Sequence, residues 1–377
     1  MLDLLYARAA RWRRRAAERP GARRRLERPV VSIGNLSVGG TGKSPVVAAL
    51  ASWLVARGER PAILSRGYRR RTDAPGVTVV SDGQSILADL ARSGDEPQML
   101  ARAVPGAVVC VCPDRHLAGV LAEHRLGATV HLLDDGFQHF PLARDLDVLV
   151  TSVGEITGGH VLPRGRLREP ADAASHADVL VVMGADAGAA DAEAQALGVE
   201  RACGTARALG APRRVGSREP GVGSRESGVG SRGPGAGAAV VVACGIANPQ
   251  RFVDDVKAAG YQVARAVTFP DHHAFSARDL ARIAAAVSET GAAAVFTTDK
   301  DAVRFEAVGT LPFPLFRVPM TLSFDPPDVL FDAVAAVLAP SAGLLPDSRF
   351  PTPGSRLGTS DSRLPTPDSR HDPRSPA

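Results

Sequence analysis

Val30-Val31-Ser32-Ile33-Gly34-Asn35-Leu36-Ser37-Val38-Gly39-Gly40-Thr41-Gly42-Lys43-Ser44 begins as a short apolar run and ends in a glycine-rich turn. A helical pattern carrying Val46, Val47, Leu50 and Leu54 follows at once. Strand, glycine-rich turn and helix in that order are the context a phosphate-binding P-loop requires. The glycines let backbone N–H groups curl around phosphate oxygens, Lys43 can reach the β- and γ-phosphates of a nucleotide, and the Ser44 hydroxyl can hold Mg²⁺. Residues 37 to 44, from Ser37 through Val38, Gly39, Gly40, Thr41 and Gly42 to Lys43 and Ser44, are therefore the expected ATP cradle. Ser37 stands where the usual G-x-x-x-x-G-K-[ST] pattern has its first glycine. A turn that binds nothing is the competing reading, and the Gly42-Lys43-Ser44 ending argues against it.

On either side of this loop, apolar runs alternate with helix-like stretches: Val30–Ile33, Ala62–Leu64, Ala107–Cys112, Val130–Leu133, Val148–Val150 and Val179–Met183. Such alternation predicts an α/β fold of the P-loop NTPase type, a mainly parallel sheet with helices on both faces. The expected P-loop domain spans 29–212. Residues 216–237 hold a seven-residue near-repeat with no apolar face, so 213–237 reads as a disordered low-complexity insertion. A second α/β domain is expected over 238–340, with strands at Val240–Ala243, Ala294–Thr297 and Leu315–Val318. Its helix Ala277–Val287 should be capped by Ser276 and stop before Gly291. The tail 341–377 repeats the composition of the insertion and is expected to be disordered.

Residues 1–28 carry ten arginines against Asp3, Glu18 and Glu27, a net +7 that exceeds the whole-chain +5 and leaves the remainder slightly acidic. Leu2, Leu5, Ala9 and Trp12 recur at helical spacing, while Arg8, Arg11, Arg13, Arg14 and Arg15 mostly fill the other positions. This pattern fits a basic amphipathic helix lying on an anionic membrane surface, or a helix packed on its own domain with a solvated charged face. It is too short to span a bilayer, which needs about 20 apolar residues. With no signal-peptide h-region in view, the expected location is cytoplasmic and peripheral on the inner membrane. No recognisable nucleic-acid module follows the arginines, so no nucleic-acid partner is expected. Cys110, Cys112, Cys203 and Cys244 lie in apolar or alanine-rich surroundings and read as small buried hydrophobes.

Asp134 and Asp135 follow the apolar run Val130–Leu133, at the carboxyl end of a strand, where open α/β sheets bind ligands. One of them fits the Walker-B duty of holding the magnesium shell. A second acidic pair, Asp95 and Glu96 in Gly94-Asp95-Glu96-Pro97, can be a helix cap or part of the chemistry. The stretch Thr297-Thr298-Asp299-Lys300-Asp301 at another strand end can bind acceptor phosphate, lock the domain interface, or turn into a helix capped by Asp301.

The runs VSIGNLSVGGTGKSP, ILSRGYRR, SGDEPQML, CPDR, LLDDGFQH, LPRGRLREP, CGIANPQRF, FPDHHAF and TTDKDAVRF occur in this order from Val31 to Phe305, within a match that extends from about residue 2 to residue 335 and skips only the repeat insertion and the tail. In that order they resemble the tetraacyldisaccharide 4′-kinases of lipid-A biosynthesis, in which the serine at the first P-loop position is a family feature. The resemblance implies two α/β/α domains joined by a short β linker. It implies transfer of the γ-phosphate of ATP to the 4′-hydroxyl of a tetraacyldisaccharide 1-phosphate, giving the bis-phosphorylated lipid-A precursor. Carried over by motif, Asp95 is the base and His272 of Asp271-His272-His273 its partner. Ser44, Glu96, Asp134 and Asp135 serve the Mg²⁺–ATP side. Arg115 is expected on nucleotide phosphate, and Arg66, Tyr68 and Arg168 at the acylated acceptor. The alternative is a regulatory membrane-associated P-loop NTPase. A GTPase would carry an N/T-K-x-D element, and Thr298-Asp299-Lys300-Asp301 lacks its spacing.

Overall fold

The structure, a computed structural model, describes residues 2–19, 21–39, 42–67, 70, 72, 75–216 and 233–339. The repeat core 217–232 and the tail 341–377, both expected to be disordered, lie outside the described residues.

The chain opens with α1 (Leu2–Ala17) and then builds its first layers from β1 (Val30–Gly34), α2 (Lys43–Ala56), β2 (Pro61–Ser65), β3 (Thr78–Asp82), α3 (Leu90–Ser93), α4 (Asp95–Ala103), β4 (Val108–Val111), α5 (Arg115–Leu126), β5 (Val130–Asp134), β6 (Leu146–Ser152), β7 (Val179–Met183), α6 (Ala187–Leu197) and β8 (Ala202–Leu209). A second set follows: β9 (Arg213–Arg214), β10 (Ala239–Cys244), α7 (Pro249–Ala258), β11 (Gln262–Thr268), α8 (Ala277–Thr290), β12 (Ala294–Thr297), α9 (Asp299–Glu306), β13 (Leu315–Arg317), β14 (Met320–Asp325) and α10 (Asp328–Leu338).

A nine-stranded sheet runs in the order β14-β8-β7-β6-β1-β5-β2-β4-β3, and a five-stranded sheet in the order β11-β10-β12-β13-β9. In the first sheet only the edges, β3 and β14, are antiparallel to their neighbours. In the second only β9 is. The central strands are rich in Val, Ile and Leu because helices cover both faces, and β1, β2 and β5 are buried along their whole length. Helix α2 sets Val46, Val47, Leu50, Ala51 and Leu54 into that core. Strand β1 pairs with β5 on one side and β6 on the other. The chain thus changes direction across the sheet at β1, and ligands of open α/β sheets bind at such a crevice.

Helix α8 starts at the Ser276 cap, with Asp279 returning the bond to close a capping box, and ends at Gly291 as its sequence predicts. Three features differ from the sequence reading. Strand β9 falls inside the stretch read as linker. Strand β14 pairs with β8, so the end of the 238–340 region rejoins the first sheet. Strands β11 and β14 are mostly exposed edges without an apolar run, which hides them from a search for buried strands.

In α1, Ala7, Ala10 and Arg14 form the buried face, while Leu2 (70% exposed), Leu4, Leu5 and Trp12 (68%) point outward. Arg14 was expected among the solvated arginines; instead it is 5% exposed and paired with Glu169, itself 1% exposed. Two bonds of 2.8 and 2.9 Å make that pair bidentate, and the guanidinium lies over the rings of Phe137 and Phe140. All four cysteines are buried and free, and burial pushes the thiols of Cys110, Cys203 and Cys244 up to about 12.

Candidate active site

The loops after β1 and β5 are pressed together at Gly34, where a Cβ would sit 2.5 Å from that of Phe137. This approach brings Asn35 against the Asp134–Gln138 loop. Lys43 Nζ donates to Asn35 Oδ1 at 2.8 Å and lies 3.3 Å from Asp135 Oδ1. Arg168 donates to Asp135 Oδ2 (2.9 Å), Gln138 Oε1 (3.1 Å) and Asn35 Oδ1 (3.1 Å). Ser37 donates its hydroxyl to Glu155 and accepts from the Asn35 amide, so the serine at the first P-loop position is held on both sides. Gly42 has φ +86°, and a Cβ there would also meet the Met183 methyl at 2.7 Å, so the turn into α2 needs glycine. Gly40 and Thr41 lie outside the described residues.

Asp134 is buried with Ser65 Oγ at 3.4 Å, and its carboxyl is pushed up to about 6, first by burial and then by the charge of Asp135. For Asp135, burial alone would raise the carboxyl; Lys43 and Arg168 outweigh it and hold the group below its ordinary range. Arg115 starts α5, is buried, and donates to the Asp134 carbonyl at 3.2 Å. Burial lowers its pKa against the opposing charges of Asp134 and Asp135. Glu96 also raises Asp134 through its charge, which puts the start of α4 in the same cleft. Ser44 is half-buried at the start of α2. Arg66 is exposed at the end of β2, and Tyr68 lies outside the described residues.

At the start of α4 the helix cap is Gly94, with no side chain capping it. Asp95 is therefore not a cap. Its Oδ2 lies 2.9 Å from His272 Nδ1 and 3.1 Å from Arg304 Nε, both from the second set of elements. Lys300 Nζ is 3.0 Å from His272 Nε2 and 3.3 Å from Glu96 Oε1. Glu96, expected on the magnesium side, thus has its carboxylate on Lys300. Among the described residues only Asp135 (φ 56°) and His272 (φ 61°) are non-glycine residues in the left-handed region. Such backbone costs about 1 kcal/mol or more and gathers at functional sites.

His273 stacks on Phe269 at 4.8 Å and bonds Asp279 at 3.0 Å, a structural placement that leaves His272 as the histidine facing Asp95. Helix α9 is capped by Thr298, whose hydroxyl receives the Asp301 N–H, and not by Asp301. Asp301 is buried, accepts from the Gly245 N–H and the Thr298 hydroxyl, and forms an ion pair with Arg304 at 3.2 Å. Arg102 of α4 and Glu306 of α9 meet at 2.9 Å, an ion pair between the two sets of elements. His139 has a buried Nε2 without a hydrogen-bond partner, and burial followed by the charges of Arg115 and Arg144 lowers its pKa to about 4.

A phosphate loop at the switch point of an open parallel sheet, facing a carboxylate held from a second sheet, puts the chain among the P-loop kinases. More narrowly, it belongs to the tetraacyldisaccharide-1-P 4′-kinase family (LpxK), whose model matches residues 1–339. The tetraacyldisaccharide 4′-kinase of Geobacter metallireducens is 38% identical over 319 residues, covering 84% of this chain and 90% of the relative. That of Anaeromyxobacter dehalogenans is 42% identical over 291 residues, covering 74% and 72%. The crystal structure of LpxK from Aquifex aeolicus in complex with ATP superposes with a TM-score of 0.69 at 26% identity, covering 89% of this chain and 97% of that one.

Reading the sequence brought Lys43, Asp95, Asp134, Asp135, Arg115, Arg168 and His272 to this cleft. It did not single out Asn35, Gln138, Glu155, Lys300 or Arg304. All but Glu155 lie in a motif already noted. Asn35, a polar residue closing an apolar strand, carried the clearest signal.

Proposed function

We infer that the chain transfers the γ-phosphate of ATP to the 4′-hydroxyl of a tetraacyldisaccharide 1-phosphate. The observation that carries this reading is the 2.9 Å contact of Asp95 with His272, made between the two sets of elements in a cleft shared with the P-loop. Asp95 Oδ2 is committed to His272 and Arg304, which leaves Oδ1 for a substrate hydroxyl. In the transfer, the 4′-oxygen attacks the γ-phosphorus, its proton passes to Asp95 Oδ1, and the bond to the β–γ bridging oxygen breaks as ADP leaves.

Lys43 and the P-loop backbone hold the nucleotide phosphates. Arg115 flanks them, and Arg168 acts from behind by fixing Asp135, Asn35 and Gln138. Arg66 and Tyr68 remain assigned to the acceptor. A divalent cation fits beside Asp134, because a buried acid pushed up to about 6 next to a second carboxylate is short of positive charge. Ser44, Asp134 and Asp135 would hold Mg²⁺, whose contribution when bound is to neutralise charge on the β- and γ-oxygens. Glu96, engaged by Lys300, is left out of that set.

The acceptor is acylated, and α1 presents Leu2, Leu4, Leu5 and Trp12 beside exposed Arg8, Arg11, Arg13 and Arg15. Among the described residues no helix is long and apolar enough to cross a membrane. These features support peripheral attachment to the cytoplasmic face of the inner membrane. The test is incubation with γ-labelled ATP and purified disaccharide 1-phosphate, followed by location of the new phosphate. Label at the 4′ position is expected. Release of ADP without labelled lipid would favour a regulatory NTPase instead.

A further inference from the structure

His272 faces a donor on one ring nitrogen and a carboxylate on the other. Lys300 Nζ is 3.0 Å from Nε2, and Asp95 Oδ2 is 2.9 Å from Nδ1. An ammonium has three donors and no acceptor, so Nε2 must present its lone pair to Lys300. The ring proton then sits on Nδ1 and is donated to Asp95. Two carboxylates pull the other way, since Asp271 Oδ2 lies 3.6 Å and Glu96 Oε1 4.0 Å from Nε2, where either would favour a proton. Lys300 answers both. Its Nζ is 3.3 Å from Glu96 Oε1 and 3.3 Å from Asp271 Oδ1, so its three donors meet three acceptors. The ammonium comes from the first turn of α9, a helix anchored by the Thr298 cap and buried Asp301.

From this geometry we propose that Lys300 is a positioning residue for phosphoryl transfer, which fixes His272 as the neutral Nδ1–H tautomer so that the ring holds Asp95 with Oδ1 toward the acceptor. The proposal rests on the reading of Asp95 as the base. Lys300 acts through His272 and touches no reacting atom. Without the ammonium, the ring faces Glu96 and Asp271 directly and takes its proton on Nε2. A neutral ring in that state turns a lone pair toward the Asp95 carboxylate, and the orientation of the base is lost.

The test uses the full chain labelled with ¹⁵N-histidine, with the His272 signals identified by their loss in His272→Gln. Above neutral pH the wild type should show a protonated Nδ1 and a pyridine-type Nε2; a proton on Nε2 overturns the proposal whatever the kinetics. Lys300→Met should gain the Nε2 proton and lose roughly 10- to 100-fold in kcat, part of the ~10²–10⁴ that a positioned base supplies. Its KM for ATP should stay within about twofold, because no nucleotide contact is removed. Lys300→Arg, also donor-only, should keep the wild-type spectrum and recover most of the rate. A pyridine-type Nε2 in Lys300→Met, or an arginine variant no better than methionine, overturns the proposal. If Lys300→Met fails to fold, the wild-type spectrum and Lys300→Arg decide. The spectra need no acceptor, so absent turnover in a wild type with the expected tautomer would refute the acceptor assignment alone.

Discussion

Asp95 and His272 are 177 positions apart in sequence, yet one carboxylate oxygen and one ring nitrogen meet at 2.9 Å. Groups that act as a unit lose their effect once, so Asp95→Ala and His272→Ala should each cut kcat strongly while nucleotide binding holds. In the double variant the loss should be far smaller than the product of the single losses. Full multiplicativity in a single-turnover assay would separate the two roles. His139 offers a test independent of catalysis. Its pKa is lowered from 6.5 to about 4, so the unfolded chain binds the proton more readily than the fold does. The stability tied to this depression is present above about 6.5 and is lost as pH falls toward 4. His139→Gln should therefore flatten the urea-midpoint profile across that window, and an unchanged slope would show that the group is not responsible. Asp95 and His272 were legible only through the family resemblance of their motifs, because by residue type alone Asp95 could equally be a helix cap and His272 a structural histidine. Lys300 and Arg304 were not, because a lysine and an arginine on a short polar helix look like solvated charge until α9 is seen against α4.

Elements with continuous apolar cores were legible from the chain alone: β1, β2, β5 and β7 fall where the Val, Ile and Leu runs stand. The edges were not. Strand β11 and strand β14 depend on pairing to β10 and β8, and nothing in their own residues demands burial. Helix α1 was only half legible, since its arginines look alike in sequence and one of them is buried. Arg14 meets Glu169 in a bidentate pair over Phe137 and Phe140, so removing either charge leaves the other uncompensated in the interior. Glu169→Gln should cost about 3–5 kcal/mol, read as a fall in urea midpoint at constant m-value. Replacing both, as Arg14→Met with Glu169→Leu, should recover most of that loss. Glu169 adjoins Arg168, which holds Asp135 and Asn35, so the single variant should also weaken ATP binding. Normal ATP affinity in a destabilised Glu169→Gln would show that α1 is not coupled to the nucleotide end.

The two sheets meet where α4 and α9 face each other, and on the proposed reading the acylated acceptor reaches that cleft from a membrane. Helix α1 is suited to hold the enzyme there, because its inner face is settled by Ala7, Ala10 and Arg14, leaving Leu2, Leu5 and Trp12 outward with Arg8, Arg11, Arg13 and Arg15. Each arginine near an anionic surface contributes about 1 kcal/mol, and the attraction weakens with salt. Arg11 has a partner in Asp172 at 2.8 Å, but that pair is exposed on both sides and competes little with a lipid headgroup. Replacing Arg8, Arg11, Arg13 and Arg15 by Gln, and sparing Arg14, should lower sedimentation with anionic vesicles by roughly 10-fold or more. Turnover of vesicle-embedded acceptor should fall with it, while turnover of a short-chain soluble analogue stays near wild type. Sparing Arg14 is what makes the result interpretable, since its loss would unfold the helix from Glu169 and mimic a docking defect. If both rates fall together while vesicle binding is unchanged, the outward arginines serve the fold or the active site, and the helix is not a membrane dock.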